Sequence, residues 1–323
     1  MSSVDVIVPC YRYGHFLEEC VTSVLTQEGP TVRVLVIDDA SPDNSGDVAK
    51  TLAARDPRVT ARTHAMNQGH IATYNEGIEW VSADYYLLLS ADDYLLPGAL
   101  NRAVAVLDAN PEASFSIGPA IELQEDGRTI PVVLEIPATV RHQVLDGSEF
   151  VEISGVRNIV RTPTAVVRTQ VQKRLGGYRN ELPHSGDMEM WLRLASFGSV
   201  AIVNESQAVY RRHRRNMSLE YNRLLDLRQR KAALDIFFEF CIHRFKHADV
   251  LQRKLAHLLA TESVWAASAA FNDGEFATSD QLTQFAVEGY PTIRRSIPWF
   301  TLAGKKFLGP RACSVLRSAM GRS

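Results

Sequence analysis

Two adjacent aspartates, Asp92 and Asp93, stand just after the apolar run Tyr85–Leu89. A continuous apolar run of this length is typical of a strand that is buried on both faces. A carboxylate is costly to bury unless it is paired or binds a metal, and Mg²⁺ or Mn²⁺ prefers such hard oxygen ligands. The pair therefore predicts a divalent cation at the edge of a sheet. The alternative is a helix-capping turn before Pro97.

A second pair, Asp38 and Asp39, ends the apolar run "TVRVLVIDD". The polar segment that follows, "DDASPDNSG", fits a turn with local side-chain caps as well as it fits a ligand-binding loop. Two carboxylate pairs at the ends of two buried strands are nevertheless a functional clue, because both pairs then lie at the same kind of position in the fold.

The elements that position these aspartates alternate between strands and helices over roughly the first 110 residues. Strand-like runs such as "VDVIVPCY" are followed by segments with apolar residues at helical spacing, such as "HFLEECVTSVLTQ". This alternation predicts an α/β fold with a doubly wound, mainly parallel sheet flanked by helices. Loops at the carboxyl ends of such strands bind ligands, and both aspartate pairs lie at such ends.

Several classes of protein are disfavoured by the sequence. The first strand-to-helix loop, "PCYRYGHF", lacks the G-x-G-x-x-G spacing, and the chain has no G-x-x-x-x-G-K-[ST]. A bound nucleotide would therefore depend on side chains and a metal more than on a glycine cradle. The net charge of −2 gives no indication of nucleic-acid binding. Widely spaced cysteines, and no apolar run near the ~20 residues that span a bilayer, indicate a cytoplasmic protein, at most attached to a membrane surface.

The chain of 323 residues is longer than one core usually absorbs, which favours two domains. The pattern becomes irregular after Ala113, and from Leu219 onward it is helical, with apolar stripes at three and four spacing. We predict a domain over 1–218 and a helical region over 219–323, for packing, oligomerisation or membrane-surface attachment. The last segment mixes aromatic and basic residues without acids, so an anionic membrane and a protein partner, including a second copy in a homodimer, both remain open.

Five segments then combine. Four of them, in order, are "IVPCYRYGHFLEECVTSVLTQ", "VLVIDDASPDNSGDVA", "NQGHIATYNEGI" and "YLLLSADDYLLPGAL", and a fifth runs from "LGGYRNELPHSGDMEMW" to "YRRHRRNMS". Their order and spacing resemble a family 2 glycosyltransferase with the GT-A fold, over residues 3 to 218. The resemblance implies an inverting enzyme of glycan or polysaccharide assembly. It would move a sugar from a nucleotide-diphosphate donor, most simply a UDP-sugar, to the hydroxyl of a glycan or lipid-linked acceptor.

The resemblance also implies Mn²⁺ or Mg²⁺ as cofactor, because negative charge grows on a departing diphosphate. It makes Asp93 the direct ligand, with Asp92 at the metal and nearer the ribose. His213 would complete the metal or diphosphate site, and Arg211 would meet the diphosphate.

Recognition of the donor base is implied for Asp39, which would accept from the N–H of a uracil or thymine ring. Tyr11, with Pro9 beside it, would stack on the base. Asn67 and Gly69 would border the diphosphate, where a glycine allows close approach of the backbone.

Asp187 matches the position of the base that takes the proton from the acceptor hydroxyl. A helix cap at Asp187 and a catalytic role for Glu189 are the alternatives. The chain departs from the family pattern at four positions, which are Arg12, Tyr74, Ser90 and Gly186. These departures keep open a degenerate nucleotide-sugar- or glycan-binding module. A nucleotidyltransferase is disfavoured because no glycine-rich basic loop follows the first strand.

Overall fold

In a computed structural model the described residues are 2–134, 144–214, 216, 221–241 and 243–319. The chain divides into two compact units, residues 1–219 and 220–323. The predicted boundary after residue 218 lies outside the described residues and stays a prediction.

The first unit is built on two sheets. Its strands are, in chain order, β1 (Ser3–Cys10), β2 (Thr31–Asp38), β3 (Val59–Thr63), β4 (Tyr85–Leu88), β5 (Tyr94–Leu95), β6 (Ala113–Ile117), β7 (Ala120–Gln124), β8 (Thr129–Val132), β9 (Val144–Leu145), β10 (Val166–Arg168), β11 (Ser199–Ile202) and β12 (Ala208–Arg212). The larger sheet has the order β3-β2-β1-β4-β10-β6-β11-β9 and the smaller one β5-β12-β7-β8. The larger sheet is mixed and mainly parallel, because β1 to β4 run in one direction and β9 and β10 pair antiparallel with their neighbours.

Helices cover both faces of the larger sheet. They are α1 (Gly14–Leu25), α2 (Ser45–Arg55), α3 (His70–Trp80), α4 (Ala99–Ala109), α5 (Gly147–Ser154), α6 (Thr169–Leu175) and α7 (Gly186–Ala195). Successive strand residues point to opposite faces. Val4 and Val6 of β1 therefore pack with α1, α2 and α4 in one core cluster. Ile7 faces α3, where a Cβ on Gly77 would lie 2.3 Å from its Cγ2. The predicted doubly wound α/β architecture is confirmed.

The smaller sheet was not predicted. The strand candidate "ASFSIGPAIEL" divides at Gly118 and Pro119 into β6 and β7, which belong to different sheets. The other strands of the smaller sheet are short, and β5 has only two residues. Strands this short carry little periodicity, so their pairing with β12 depends on contacts distant in sequence.

The second unit is helical, as predicted. It contains α8 (Arg223–Cys241), α9 (Ala248–Asn272), α10 (Phe276–Gly289) and α11 (Ile297–Ala319), with a 3₁₀ turn at Pro291–Arg295. The left-handed φ of Gly309, which precedes Pro310, kinks α11. Among the described residues, no helix has the length and apolarity needed to cross a bilayer.

Candidate active site

Both aspartate pairs lie at the carboxyl edge of the larger sheet. Strand β1 lies between β2 and β4 and runs parallel to both. Beyond the paired residues, Asp39 N donates to Cys10 O over 2.9 Å, and Ala91 N donates to Pro9 O over 3.2 Å. The structure therefore brings Pro9, Asp39 and Asp92 to one edge, where parallel-strand topology predicts a ligand site.

Asp92 and Asp93 do not cap the following helix. α4 begins at Ala99 with Gly98 at its N-cap. Asp93 Oδ1 instead accepts from Arg211 N over 2.9 Å, and Asp92 Oδ2 lies 3.0 Å from His213 Nε2. Both carboxyl groups are buried.

Arg211 links the aspartate pair to the first helix. Its guanidinium donates to Asp92 O over 2.8 Å and forms an ion pair with Glu19. The guanidinium also lies 4.5 Å from the ring centroid of Phe16 and 4.9 Å from that of Tyr94. These contacts show that Arg211 fixes the loop that carries the carboxylates.

The carboxylates and the imidazole fit a divalent cation by chemistry. Among the described residues, no group of three His, Cys, Asp or Glu side chains is preassembled around a metal position. Burial and the adjacent Asp92 raise the pKa of Asp93 well above its usual range. The site therefore contains negative charge that is costly to bury, and a cation bound by Asp92, Asp93 and His213 would compensate for it.

Asp39 is held by a loop distant in sequence, not by a local turn. Its Oδ1 accepts from Gln68 N over 2.7 Å, and its Oδ2 accepts from Gly69 N over 2.9 Å. Asn67 Nδ2 donates to Asp39 O over 3.1 Å. Gly69 has a φ of 85°, which favours glycine, and a Cβ there would have no neighbour within 4 Å. The Tyr11 side chain is 41% exposed, which leaves its ring accessible for stacking.

Asp187 is the second residue of α7 and lies in its first turn, with Ser185 as the N-cap residue. Its Oδ2 accepts from Thr162 Oγ1 over 2.8 Å, and the Tyr178 hydroxyl also bonds to it. Burial raises the pKa of Asp187, although both hydroxyls counteract this rise. A buried carboxyl with a raised pKa is typical of a general base.

Glu189, the rival base, is fully buried and has a different set of partners. Its Oε1 lies 2.9 Å from Arg193 Nε and 3.5 Å from Arg179 Nε. Arg193 in turn donates to Leu175 O over 2.7 Å. These contacts give Glu189 a structural role inside the fold.

Tyr74 lies between the two halves of the site. The negative charges of Asp187, Asp92 and Asp93 all act on its hydroxyl, and burial together with these charges raises the pKa of Tyr74. The Tyr74 ring contacts that of Tyr178, with centroids 5.3 Å apart. At this departure from the family pattern, the chain therefore places a neutral hydroxyl near both sets of carboxylates.

The other three departures are accommodated locally. Ser90 O accepts from Asp93 N over 2.9 Å, a backbone contact that does not depend on the side chain. Arg12 has a φ of 66° and donates from its backbone to Ser41 Oγ. At Gly186 a Cβ would lie 3.4 Å from Tyr178 Cδ1 and 3.6 Å from Ile71 Cδ1, which are ordinary van der Waals contacts.

Sequence reasoning missed residues that hold the predicted ones. Thr162, which bonds to Asp187, precedes a proline in an irregular segment and gave no signal. Glu19 on α1 lies on the helix face opposite the core, which is the ordinary place for a solvated charge. His64 directly follows β3 and contacts Asp39, as described below.

The sequence has recognisable relatives. Residues 5–162 match the model of glycosyl transferase family 2. An uncharacterised protein of Mycobacterium tuberculosis is 27% identical over 226 residues, 65% of this chain and 67% of that protein. The uncharacterised glycosyltransferase EpsJ of Bacillus subtilis is 32% identical over 107 residues, 33% of this chain and 31% of EpsJ. The EpsJ match thus spans about a third of each chain.

Solved structures share the fold. S. aureus TarS, in complex with UDP-GlcNAc, has a TM-score of 0.55 and 15% identity, covering 93% of this chain and 79% of that one. The mannosyltransferase PcManGT of Pyrobaculum calidifontis, in complex with GDP-Man and Mn²⁺, has a TM-score of 0.53 and 16% identity, covering 100% of this chain and 88% of that one. These proteins are α/β structures of the GT-A type.

Proposed function

We propose that the chain, whose residues 5–162 match the model of glycosyl transferase family 2, is an inverting, metal-dependent glycosyltransferase of that family that uses a UDP-sugar. The observation that carries the proposal is the buried Asp92–Asp93 pair, with His213 Nε2 3.0 Å from Asp92. This pair lies at the same sheet edge as Asp39, and its negative charges and that of Asp187 all act on the Tyr74 hydroxyl. One edge of the sheet thus carries groups suited to binding a base, a diphosphate and an acceptor hydroxyl.

The donor class is supported by the groups around Asp39. A carboxylate oxygen has two lone pairs, and among the described residues Oδ2 accepts one hydrogen bond, from Gly69 N. The second lone pair of Oδ2 suits the N–H of a uracil ring, which would stack on Tyr11. The fold neighbours bind different nucleotides, since TarS holds UDP-GlcNAc and PcManGT holds GDP-Man. The choice of uridine therefore rests on the contacts in this chain.

The chemical step assigned to Asp187 is removal of the proton from the acceptor hydroxyl. The ionised carboxylate accepts that proton while the hydroxyl oxygen attacks the anomeric carbon from the face opposite the diphosphate, which inverts the configuration. Thr162 holds one oxygen of Asp187 in place over 2.8 Å. The raised pKa of Asp187 brings its basicity closer to neutral pH, as proton transfer requires.

Asp92, Asp93 and His213 would hold Mn²⁺ or Mg²⁺. Such an ion, when bound, stabilises the negative charge that develops on a departing diphosphate. Arg211 positions these ligands through its contacts with both aspartates. Asn67 stays a predicted neighbour of the diphosphate, and its amide holds the Asp39 loop.

The acceptor is proposed to be a glycan or lipid-linked hydroxyl. The proposal of membrane-surface contact is supported by α11, which exposes Ile297, Phe300 and Phe307 three or seven residues apart on one helical face. No acidic residue follows Glu288, so the segment has the charge that an anionic lipid surface attracts. A homodimer and a cytoplasmic location stay predictions.

The test of the proposed function is turnover of UDP-sugars by Asp187→Asn. Positioned proton transfer contributes about 10²–10⁴-fold, so we expect a loss of that size in UDP release while UDP affinity is retained. Asp126→Asn, in an exposed turn where Asp126 pairs with Arg128, is the matched control. Equal turnover in Asp187→Asn would refute the assigned base. Nucleotide binding with no turnover in the wild type would favour the binding module, and release of pyrophosphate would favour a nucleotidyltransferase.

A further inference from the structure

His64, the residue directly after β3, contacts two carboxylates at once. Its Nδ1 lies 2.7 Å from Asp39 Oδ1, and its Nε2 lies 2.7 Å from Glu76 Oε2. The side chain is 7% exposed. The backbone N–H of His64 donates to Asp38 O over 2.9 Å, which fixes the ring position relative to β2. The imidazole therefore bridges the sheet edge and helix α3.

The charged groups that face His64 form a short chain. Asp39 approaches from the end of β2 and Glu76 from α3. Arg62 of β3 lies beyond Glu76, with its guanidinium 2.9 Å from Glu76 Oε1. His64 and the Gln68 N–H both donate to Asp39 Oδ1, so that oxygen is committed to the protein. The carboxylate plane is thereby fixed, with Oδ2 directed to the Gly69 side.

The protonation state of His64 follows from its two partners. A neutral imidazole has one N–H donor, whereas an imidazolium has two. Ionised carboxylates only accept, so donation to both Asp39 and Glu76 requires the imidazolium. Burial by itself lowers the pKa of His64, but the hydrogen bonds with Asp39 and Glu76 outweigh it and raise the pKa above the ordinary value. As the pH rises through this pKa, one of the two contacts is lost.

We propose that His64, as an imidazolium, is a positioning residue that orients the Asp39 carboxylate for a pyrimidine base of the donor nucleotide. This role rests on the proposed function, because it assigns His64 to the same donor site. In the neutral ring we place the remaining proton on Nε2, facing Glu76, so that loss of the second proton turns the Nδ1 lone pair toward Asp39 Oδ1. Oδ1 then keeps only the Gln68 N–H, and the carboxylate is held less firmly in the orientation that presents Oδ2 to a ring N–H. Donor binding therefore weakens as the pH rises, without a change in the chemical step.

The experiment measures UDP affinity with Mg²⁺ by calorimetry between pH 6 and pH 8.5, in the wild type, His64→Gln and Glu76→Gln. The wild-type affinity should fall by about tenfold across the titration of His64, since a hydrogen bond to a charged group has about this effect. His64→Gln should bind weakly at every pH. Glu76→Gln leaves the Asp39 contact in place but removes one anion, so its midpoint should move to lower pH. His257→Gln, on α9, is the control and should follow the wild type.

Steady-state kinetics give a second readout. His64→Gln should raise the KM for the UDP-sugar and leave kcat unchanged, because a positioning role in donor binding does not alter proton transfer by Asp187. A structural defect would instead lower kcat together with thermal stability. If His64→Gln fails to fold, the midpoint of Glu76→Gln decides the question.

A wild-type affinity that does not change with pH, or a Glu76→Gln midpoint at or above that of the wild type, would overturn the role of His64 and leave the donor site intact. Absence of UDP binding at every pH would overturn the proposed donor class, and the role of His64 with it.

Discussion

Replacing Thr162 by valine removes the hydroxyl that donates to Asp187 Oδ2 over 2.8 Å. That hydrogen bond stabilises the ionised form of Asp187 and opposes the rise in pKa caused by burial. Valine has nearly the same shape but no donor, so the carboxylate becomes harder to ionise in the variant. Because the proposed base acts in its ionised form, the acidic limb of the pH profile of kcat should move to higher pH.

The size of this change follows from the geometry. A hydrogen bond to a charged group contributes about 1.5–3 kcal/mol, and one pH unit corresponds to about 1.4 kcal/mol. The Tyr178 hydroxyl still bonds to Asp187 in the variant. We therefore expect the lower end of this range, an upward movement of about one pH unit.

The assay is UDP release from a saturating UDP-sugar at pH values from 4.5 to 8.5. Thr164→Val is the matched control, because the Thr164 hydroxyl belongs to the same turn but donates to Arg161 O over 2.8 Å. Thr162→Ser keeps the donor and should restore the wild-type profile. An acidic limb that does not move in Thr162→Val would show that Asp187 is not the group whose ionisation controls turnover.

Three further predictions concern stability and surface contact. Asp187→Asn should raise Tm at neutral pH, because ionising a buried carboxyl of raised pKa costs stability as the pH rises through that pKa. Each kcal/mol of stability gained should raise Tm by about 2–4 °C, and the gain should vanish in acid, where the wild-type carboxyl is protonated. Asp5→Ala should destabilise the first unit by about 3 kcal/mol, because Asp5 binds Arg33 and accepts from two backbone N–H groups. Urea unfolding measures this loss, and an unchanged urea midpoint would contradict the prediction. Phe307→Glu should reduce co-sedimentation with phosphatidylglycerol vesicles by about tenfold. Trp265 is also exposed, but Trp265→Glu should leave co-sedimentation unchanged, and an equal loss in both variants would argue against α11 as the contact.

The strand and helix pattern predicted the positions of the aspartates because that information is local. The apolar run before Asp92 and the helical spacing after β1 determine a parallel sheet with its carboxyl ends on one edge. No local pattern shows that Arg211, which lies 118 residues after Asp93 in the chain, donates its backbone N–H to that carboxylate. The contact depends on the register of β12 in a small sheet whose strands are too short to show a period.

The partners of Asp39 and Asp187 could not be predicted from the sequence for a similar reason. His64 and Thr162 are single polar residues in segments without periodicity, and nothing in their neighbours distinguishes them from ordinary surface residues. Their roles depend on distances that only the folded chain defines. The family resemblance supplied the groups that are predicted to face a substrate, whereas the structure supplied the groups that contact them.

The most direct measurement is calorimetric binding of UDP to the wild type and to Asp93→Ala, each with and without Mn²⁺, with Asp47→Ala on the exposed side of α2 as control. The central claim is that the buried aspartate pair holds a cation against the diphosphate of a nucleotide. It predicts UDP binding that requires Mn²⁺, persists in Asp47→Ala and is lost in Asp93→Ala. UDP binding that is equal with and without Mn²⁺, or unchanged in Asp93→Ala, would contradict it.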